Sequence, residues 1–267
     1  VYPPKFLHVY EIEGPAPLGL KDPHLLGIWQ EAQYCFVFFG KEDQIPLQIR
    51  LEGIRMYHIL RYEDWLGGSL GQIKVGRFLI TPLWEARPTV GPYELVLDPN
   101  VVFGSGQHPT TLQCLKIIGD YDFDVENAID LGTGTGILAL ALGKLGIKVK
   151  AIDNNPLCVE VCGKNVLRNG LESLVEVSLG DATEESFEAY ELVVANLGPD
   201  LILKLIQRVN PMVNRLLLLS GITRSFVSGI LDEAKRKSYS LIIHEDNGIW
   251  HTLFLKGGGH GRKDLPS

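Results

Sequence analysis

Ala128-Ile-Asp-Leu-Gly132-Thr-Gly134-Thr-Gly136-Ile137 is the run whose reading decides the fold. A short apolar segment leads straight into three glycines at alternate positions. These feed a stretch at 136–145 rich in Ala and Leu that reads as a helix. Glycine at such a strand-to-helix turn lets the backbone fold tightly and admits a ligand with no Cβ in the way. Exposed amides at the start of the helix are then expected to face a polar or acidic ligand. A strand, a Gly-rich turn and a helix in that order form the first unit of an open α/β sheet, whose ligands sit beyond the carboxyl ends of its strands.

Outward from this run, the chain after about residue 126 alternates between the two periodicities. Strands are expected at 127–131, 148–152, 175–179, 191–195, 215–220, 240–245 and 249–256. Helices are expected at 136–145, at 156–169 with Gly170 as its stop signal, from Pro199 onward and at 225–237. The run at 215–220 is continuously apolar, which suits a strand covered on both faces. Asp246-Asn247-Gly248 supplies hairpin turn chemistry between the last two strands. The expectation is a doubly wound, seven-stranded α/β domain whose closing hairpin leaves one antiparallel strand at its end.

Before Val90 the texture changes. Strands are expected at 7–12, 34–39, 48–51 and 56–62, separated by links such as Gly14-Pro-Ala-Pro17, with no convincing long amphipathic helix. The module is read as small, α+β or mostly β. Residues 63–76 read as a Gly-rich linker, 91–256 as the ligand-binding domain and 257–267 as a disordered tail. Twenty-five Lys and Arg against 32 Asp and Glu give a net charge of −7, and neither the part before residue 90 nor the part after it is basic. A nucleic-acid clamp needs a basic face to replace phosphate counterions, so no direct nucleic-acid binding is expected. An apolar content of 45% and a charged content of 21% exclude the disordered and fibrous classes. Cys35, Cys114, Cys158 and Cys162 include no Cys-x-x-Cys pair, and no His stands at finger-like spacing, so no metal site is expected. Cys158 and Cys162 share a helix face and read as small buried residues. The start of the chain does not resemble a signal peptide, and no apolar stretch approaches 18 residues, which points to a cytoplasmic protein with reduced thiols and no membrane contact.

Three polar residues follow the strands after the glycine turn. Asp153, in Ala151-Ile-Asp153-Asn154, stands where an acid accepts both hydroxyls of a ribose, although a strand-end turn residue would look the same. Asp181, in Leu179-Gly180-Asp181-Ala182, can reach an adenine's exocyclic amine or simply cap a turn. Asn196, in Val193-Val-Ala-Asn196-Leu197, faces the crevice at the carboxyl edge. The glycines run Gly-x-Gly-x-Gly with Asp130 two residues ahead, not the Gly-x-Gly-x-x-Gly of a dinucleotide loop, which argues against an NAD-dependent oxidoreductase. Over residues 126–256 the pattern resembles the class I S-adenosylmethionine-dependent methyltransferases. That resemblance implies S-adenosylmethionine as cofactor, held by Asp130, Gly132, Thr133, Gly134, Gly136, Asp153, Asn154, Asp181, Ala182 and Asn196.

Val102-Phe103-Gly104-Ser105-Gly106-Gln107-His108-Pro109-Thr110-Thr111-Leu112 narrows the family. Pro109 suits the first turn of a helix, with His108 or Thr110 as its cap. The run closely resembles the Phe-Gly-Thr-Gly-x-His-x-Thr-Thr signature of the ribosomal protein L-eleven methyltransferase family, PrmA. Asn196-Leu197 and Ser220-Gly221-Ile222 match that family after the fourth and fifth strands, and Glu63-Asp64-Trp65, Val75-Gly76-Arg77 and Pro82-Leu-Trp84-Glu85 echo its linker and entry strands. The resemblance implies that Phe103, His108, Thr110 and Thr111 fold over the cofactor, and that residues 1–62 recognise the substrate while 63–90 lead into the catalytic domain. It also implies methyl transfer to an amine nitrogen, of a lysine or an N-terminus, on a ribosomal protein. Asn196 and Leu197 are the residues expected to orient that nitrogen. His108 is either a base or a residue that shapes the loop. Two features depart from the family: the linker is shorter, with Gly67-Gly-Ser-Leu-Gly71 in place of a second Trp and a Lys, and the first 60 residues lack an evident βαββαβ pattern. A different protein or small-molecule acceptor, or a non-catalytic binding module, are the rival readings, and a monomer is the expected state.

Overall fold

The computed structural model of the chain describes residues 2–17, 19–31, 33–41, 53–68 and 71–258. The strand expected at 48–51 and residues 259–267 of the expected tail lie outside them.

The chain opens with four antiparallel strands, β1 (Phe6–Glu13), β2 (Leu25–Glu31), β3 (Tyr34–Phe39) and β4 (Ile54–Arg61), in spatial order β2-β3-β1-β4. Among the described residues this part is all strand, the mostly β form of the two expected. Side chains alternate across β1 as the pleat requires. Tyr10 and Ile12 point to one face, where Cys35, Val37 and Phe39 complete a small core, while Leu7 and Val9 point to the other. β2 has no clear signal in the sequence because Gly27 interrupts its apolar run.

The segment read as a linker is structured. α1 (Tyr62–Leu66) ends at Gly67 in the left-handed region, and β5 (Ile73–Val75), β6 (Phe78–Pro82) and β7 (Glu94–Leu97) form a three-stranded sheet. Hydrogen bonds to the chain ahead of the large sheet hold α1 in place: the Tyr62 hydroxyl donates to the Asn100 carbonyl at 2.6 Å, and the Trp65 indole donates to the Val101 carbonyl at 3.2 Å.

The remainder follows the expected alternation: α2 (Pro109–Asp120), β8 (Asn127–Leu131), α3 (Ile137–Lys144), β9 (Lys148–Asp153), α4 (Pro156–Arg168), β10 (Val175–Leu179), β11 (Leu192–Asn196), α5 (Pro199–Arg208), β12 (Leu216–Thr223), α6 (Arg224–Arg236), β13 (Tyr239–Asp246) and β14 (Trp250–Gly257). The seven strands lie in the order β10-β9-β8-β11-β12-β14-β13. Every neighbouring pair is parallel except those involving β14, which is antiparallel to both β12 and β13. The antiparallel strand is last in sequence but second from the edge in space, because the hairpin tucks β14 in beside β12. Residues 257–258, assigned to a disordered tail, are held instead: the Gly257 amide donates to the Arg215 carbonyl at 2.9 Å, and that of Gly258 donates to Ser238.

Apolar side chains leave this sheet on both faces, as strands buried on both sides require. Leu192 and Val194 of β11 face a core built with α2, α3 and α4, whereas Val193 and Ala195 face one built with α5 and α6. Two buried asparagines fasten the preceding chain to α4. Asn169 exchanges hydrogen bonds with both backbone groups of Val96 (2.9 and 2.7 Å), and Asn165 does the same with Asp98 (2.9 and 3.0 Å) while also donating to Thr135 O. Their amides are fully used, so the segment leading to the Phe103 loop has a defined height above the sheet. The N-terminal sheet rests on the same helix. Leu7, Val9 and Phe38 pack against Leu157, Cys158 and Val161 of α4. Gly27 gives this contact room, since a Cβ there would lie 2.6 Å from the tip of the Leu157 side chain, which would have to shift.

Candidate active site

The carboxyl ends of β8, β9, β10 and β11 open onto a cavity of about 660 Å³, within the range typical of small-molecule sites. The glycine turn forms its floor. A Cβ on Gly134, whose φ is 55°, would sit 2.4 Å from the Phe103 carbonyl oxygen, so the close approach of the two loops requires glycine there. Contrary to the expectation of free amides, every N–H from 132 to 136 has an acceptor within the protein. Those of Gly132 and Thr133 donate to the Ile152 carbonyl (both 2.9 Å), Gly134 to Asp153 Oδ2 (3.0 Å), Thr135 to the Phe103 carbonyl (3.0 Å) and Gly136 to the Thr133 carbonyl (2.8 Å). The turn therefore offers shape rather than positive charge, which suits a ligand without a pyrophosphate.

One end of the cavity gathers polar groups from the carboxyl ends of β9 and β10. Asp153 is 9% exposed. Its carboxylate accepts from the Gly134 amide through one oxygen and from the Asn155 amide (2.9 Å) through the other. Asp181 accepts from both the amide and the hydroxyl of Thr183 through Oδ1 (2.7 Å each), and these bonds hold its carboxyl below the usual range, so it is ionised at neutral pH. Asn154 and Ala182 lie beside them. Asn155 was not anticipated as a site residue. It caps α4 through Oδ1, which accepts from the Leu157 amide at 2.9 Å, while its Nδ2 is buried at the cavity wall with no hydrogen-bond partner among the described residues. An orphaned buried donor costs about 1–3 kcal/mol, which an acceptor on a bound ligand would restore.

The other end is formed by Asn196, Leu197, Gly221 and Thr223 beneath Phe103, His108 and Trp250. Asn196 Nδ2 donates to Thr111 Oγ1 at 3.5 Å, and the Leu197 amide donates to the Ser220 carbonyl at 3.1 Å. The His108 ring packs between Phe103 and Trp250, with centroids 5.4 and 5.2 Å apart. Its Nδ1 accepts from the Thr110 amide at 3.4 Å, so His108 is the cap of α2. Burial lowers its pKa, leaving a neutral ring whose acceptor nitrogen is already engaged. The geometry thus favours loop shaping over a base.

Of the residues expected at the site, Phe103, His108, Thr110, Gly132, Gly134, Asp153, Asn154, Asp181, Ala182, Asn196 and Leu197 line the cavity. Thr111, Asp130, Thr133 and Gly136 do not; they stand behind its wall. Asp130 is 2% exposed and accepts from the Thr133 hydroxyl at 2.6 Å. Burial, with the charge of Asp153 added, pushes its pKa up to about 6. Its work is to brace the turn from below. Trp29 of β2 also lines the cavity. Nothing in the local sequence announces it, because it reaches the cavity only once the N-terminal sheet has docked on α4.

Residues 56–257 match the family described as Ribosomal protein L11 methyltransferase (PrmA). The chain belongs to the PrmA family. Curated PrmA relatives named Ribosomal protein L11 methyltransferase include one from Dictyoglomus turgidum, 33% identical over 204 residues (74% of this chain), and one from Dictyoglomus thermophilum, 40% identical over 198 residues (72% of this chain). The chain spans 68% and 62% of their respective lengths. A solved structure, the ribosomal protein L11 methylase from Lactobacillus delbrueckii subsp. bulgaricus, is 25% identical with a TM-score of 0.59, covering 70% of this chain and 99% of the other. The PrmA core thus has the class I, Rossmann-like methyltransferase fold.

Proposed function

We propose that this chain is an S-adenosylmethionine-dependent N-methyltransferase of the PrmA type, acting on amine nitrogens of a ribosomal protein. The observation that carries the reading is the shared cavity, in which the nucleoside-directed groups Asp153, Asn155 and Asp181 stand opposite Asn196 and Leu197. S-Adenosylmethionine fits that set. Asp153 has acceptor capacity left for the ribose hydroxyls, Asp181 has a second oxygen for the exocyclic amine, and Asn155 has an unused donor. The amide-saturated glycine turn matches a cofactor that ends in an amino acid. In this reading residues 1–62 recognise the substrate, 63–90 connect, and 91–256 hold the cofactor. The net charge of −7 suits a basic protein acceptor better than a nucleic acid.

When bound, the cofactor supplies a methyl group on a positively charged sulfur. The chain's own residues supply position. Holding nucleophile and electrophile in line is enough to account for several kcal/mol of barrier. A lysine amine must arrive neutral, against a solution pKa near 10.4, and withdrawal from water into the cavity favours that form. Asn196 Oδ1 and the Leu197 carbonyl are the acceptors that would turn the amine's lone pair toward the methyl group.

Incubating the chain with methyl-labelled cofactor and total ribosomal protein tests this. The expected result is label on one small ribosomal protein; label on another class of protein would replace the acceptor, and binding of the cofactor without transfer would leave a binding module. Asn196→Ala is expected to lower turnover about a hundredfold while calorimetric cofactor affinity changes little; an unchanged rate would remove Asn196 from the acceptor site.

A further inference from the structure

The hairpin that closes the large sheet carries a side-chain cluster outside the cavity. Asp246 of β13 pairs directly with His251 of β14, so both side chains leave the same face of the sheet. His244, two residues before Asp246 on the same strand, shares that face. Nε2 of His244 lies 3.0 Å from Nδ1 of His251, and one ligand atom from each of the three residues falls within 4.8 Å of the others. His251 is buried, with 6% exposure, whereas His244 and Asp246 are exposed and free to adjust.

We infer that His244, Asp246 and His251 form a binding site for a divalent transition-metal ion of the zinc type. Two imidazole nitrogens and one carboxylate are the donor set of zinc, nickel or copper, whereas magnesium and calcium take oxygen ligands. The separation of the two nitrogens is close to what two ligands leave between them when each lies about 2.0–2.1 Å from one ion. One proton bridges those nitrogens in the metal-free chain, and the ion takes its place. Asp246 keeps an oxygen for the ion, because its contact with the turn, the Gly248 amide at 2.9 Å, uses Oδ1 alone. The scaffold is stiff at this point: Asn247 Oδ1 accepts from the amides of Ile249 and Trp250. Arg224, at the start of α6, also acts electrostatically on His251. Its positive charge opposes a cation and makes the Asp246 carboxylate a necessary part of the set. With three protein ligands, water completes the coordination. The ion would clip β13 to β14, whose first residue, Trp250, is a wall of the cavity.

The test is calorimetric titration of the chelator-stripped full chain with zinc chloride, together with the absorption spectrum after cobalt(II) addition. All four cysteines are buried, so a thiolate-to-cobalt band would reveal metal drawn to the wrong site. The expected result is one zinc per chain, a cobalt spectrum of nitrogen and oxygen ligation, and a rise in thermal midpoint on adding zinc. His244→Ala, at an exposed position, should weaken zinc binding by about tenfold or more and abolish the zinc-dependent rise, over and above any fall in the metal-free midpoint from losing its contact with His251; Asp246→Asn should weaken zinc binding in the same direction. The proposal fails if the chain takes up no zinc at micromolar concentrations, if His244→Ala binds as tightly as the parent, or if cobalt reports thiolate ligation. Any of these would leave the pair as a proton-bridged contact between two histidines.

Discussion

Asp153 does two jobs with one carboxylate. It ties the glycine turn to the start of α4 through two backbone amides, and it faces the cavity with its remaining acceptor capacity. An ionised carboxylate offers about four lone-pair sites, so the two roles are compatible. Asp153→Asn replaces one acceptor with a donor that must face a backbone N–H or the ribose. Cofactor affinity is expected to fall by about 1.5–3 kcal/mol, roughly tenfold to a hundredfold; calorimetry showing equal affinity would sink the assignment. Asp130 behaves in the opposite sense from a salt-bridged carboxylate. Its folded-state pKa of about 6 lies above the ordinary 3.8, so the native state holds the proton more tightly than the unfolded chain does. Its contribution is complete below about pH 4 and is lost as pH rises through about 6, on the order of 3 kcal/mol in all. The stability of the parent relative to Asp130→Asn should therefore drop across that window in urea unfolding; a gap independent of pH would show that the carboxyl is not perturbed. Both aspartates are visible in the sequence, but which of them meets the ligand is not. The distinction comes from the Thr133 hydroxyl and the covering helix, which draw Asp130 inward.

At the scale of the element, the strands and helices after residue 126 follow from local pattern, because apolar alternation and glycine stops are properties of neighbouring residues. The irregularity within β12, where its register with β14 shifts between Leu219 and Ile222, shows where pattern alone is insufficient. Gly221 has a φ of 84°, and a Cβ there would lie 2.3 Å from the Leu197 carbonyl oxygen. Gly221→Ala must both enter the left-handed region, at about 1–2 kcal/mol, and push away the backbone that lines the acceptor end. Turnover should fall by more than tenfold, with cofactor affinity affected less; steady-state kinetics with kcat preserved would show that Leu197 does not position the acceptor. β2 is the counterexample to local reading. Its glycine looks like an interruption in the sequence and in the structure leaves room for the tip of the Leu157 side chain.

For the whole molecule, the N-terminal sheet is joined to the methyltransferase core through α4, and this brings Trp29 to a cavity otherwise made by the large sheet. Trp29→Ala is expected to weaken cofactor binding about three- to tenfold with rescue by Trp29→Phe, and Gly27→Val, by forcing the sheet off Leu157, should reproduce the loss. Calorimetric affinities unchanged in both variants would separate the two parts functionally. The alternating α/β architecture, the glycine turn, the presence of acids at the strand ends and the family were all legible in the sequence, since each rests on spacing between near neighbours or on short motifs. Tertiary structure alone decided that the turn's amides are satisfied internally, that Asp130 and Thr133 stand behind the wall, that β14 slips inside β13, and that Trp29 and Asn155 join the site. Those outcomes depend on which surfaces meet, and the packing of sheet on helix is fixed by shape complementarity between residues more than a hundred positions apart.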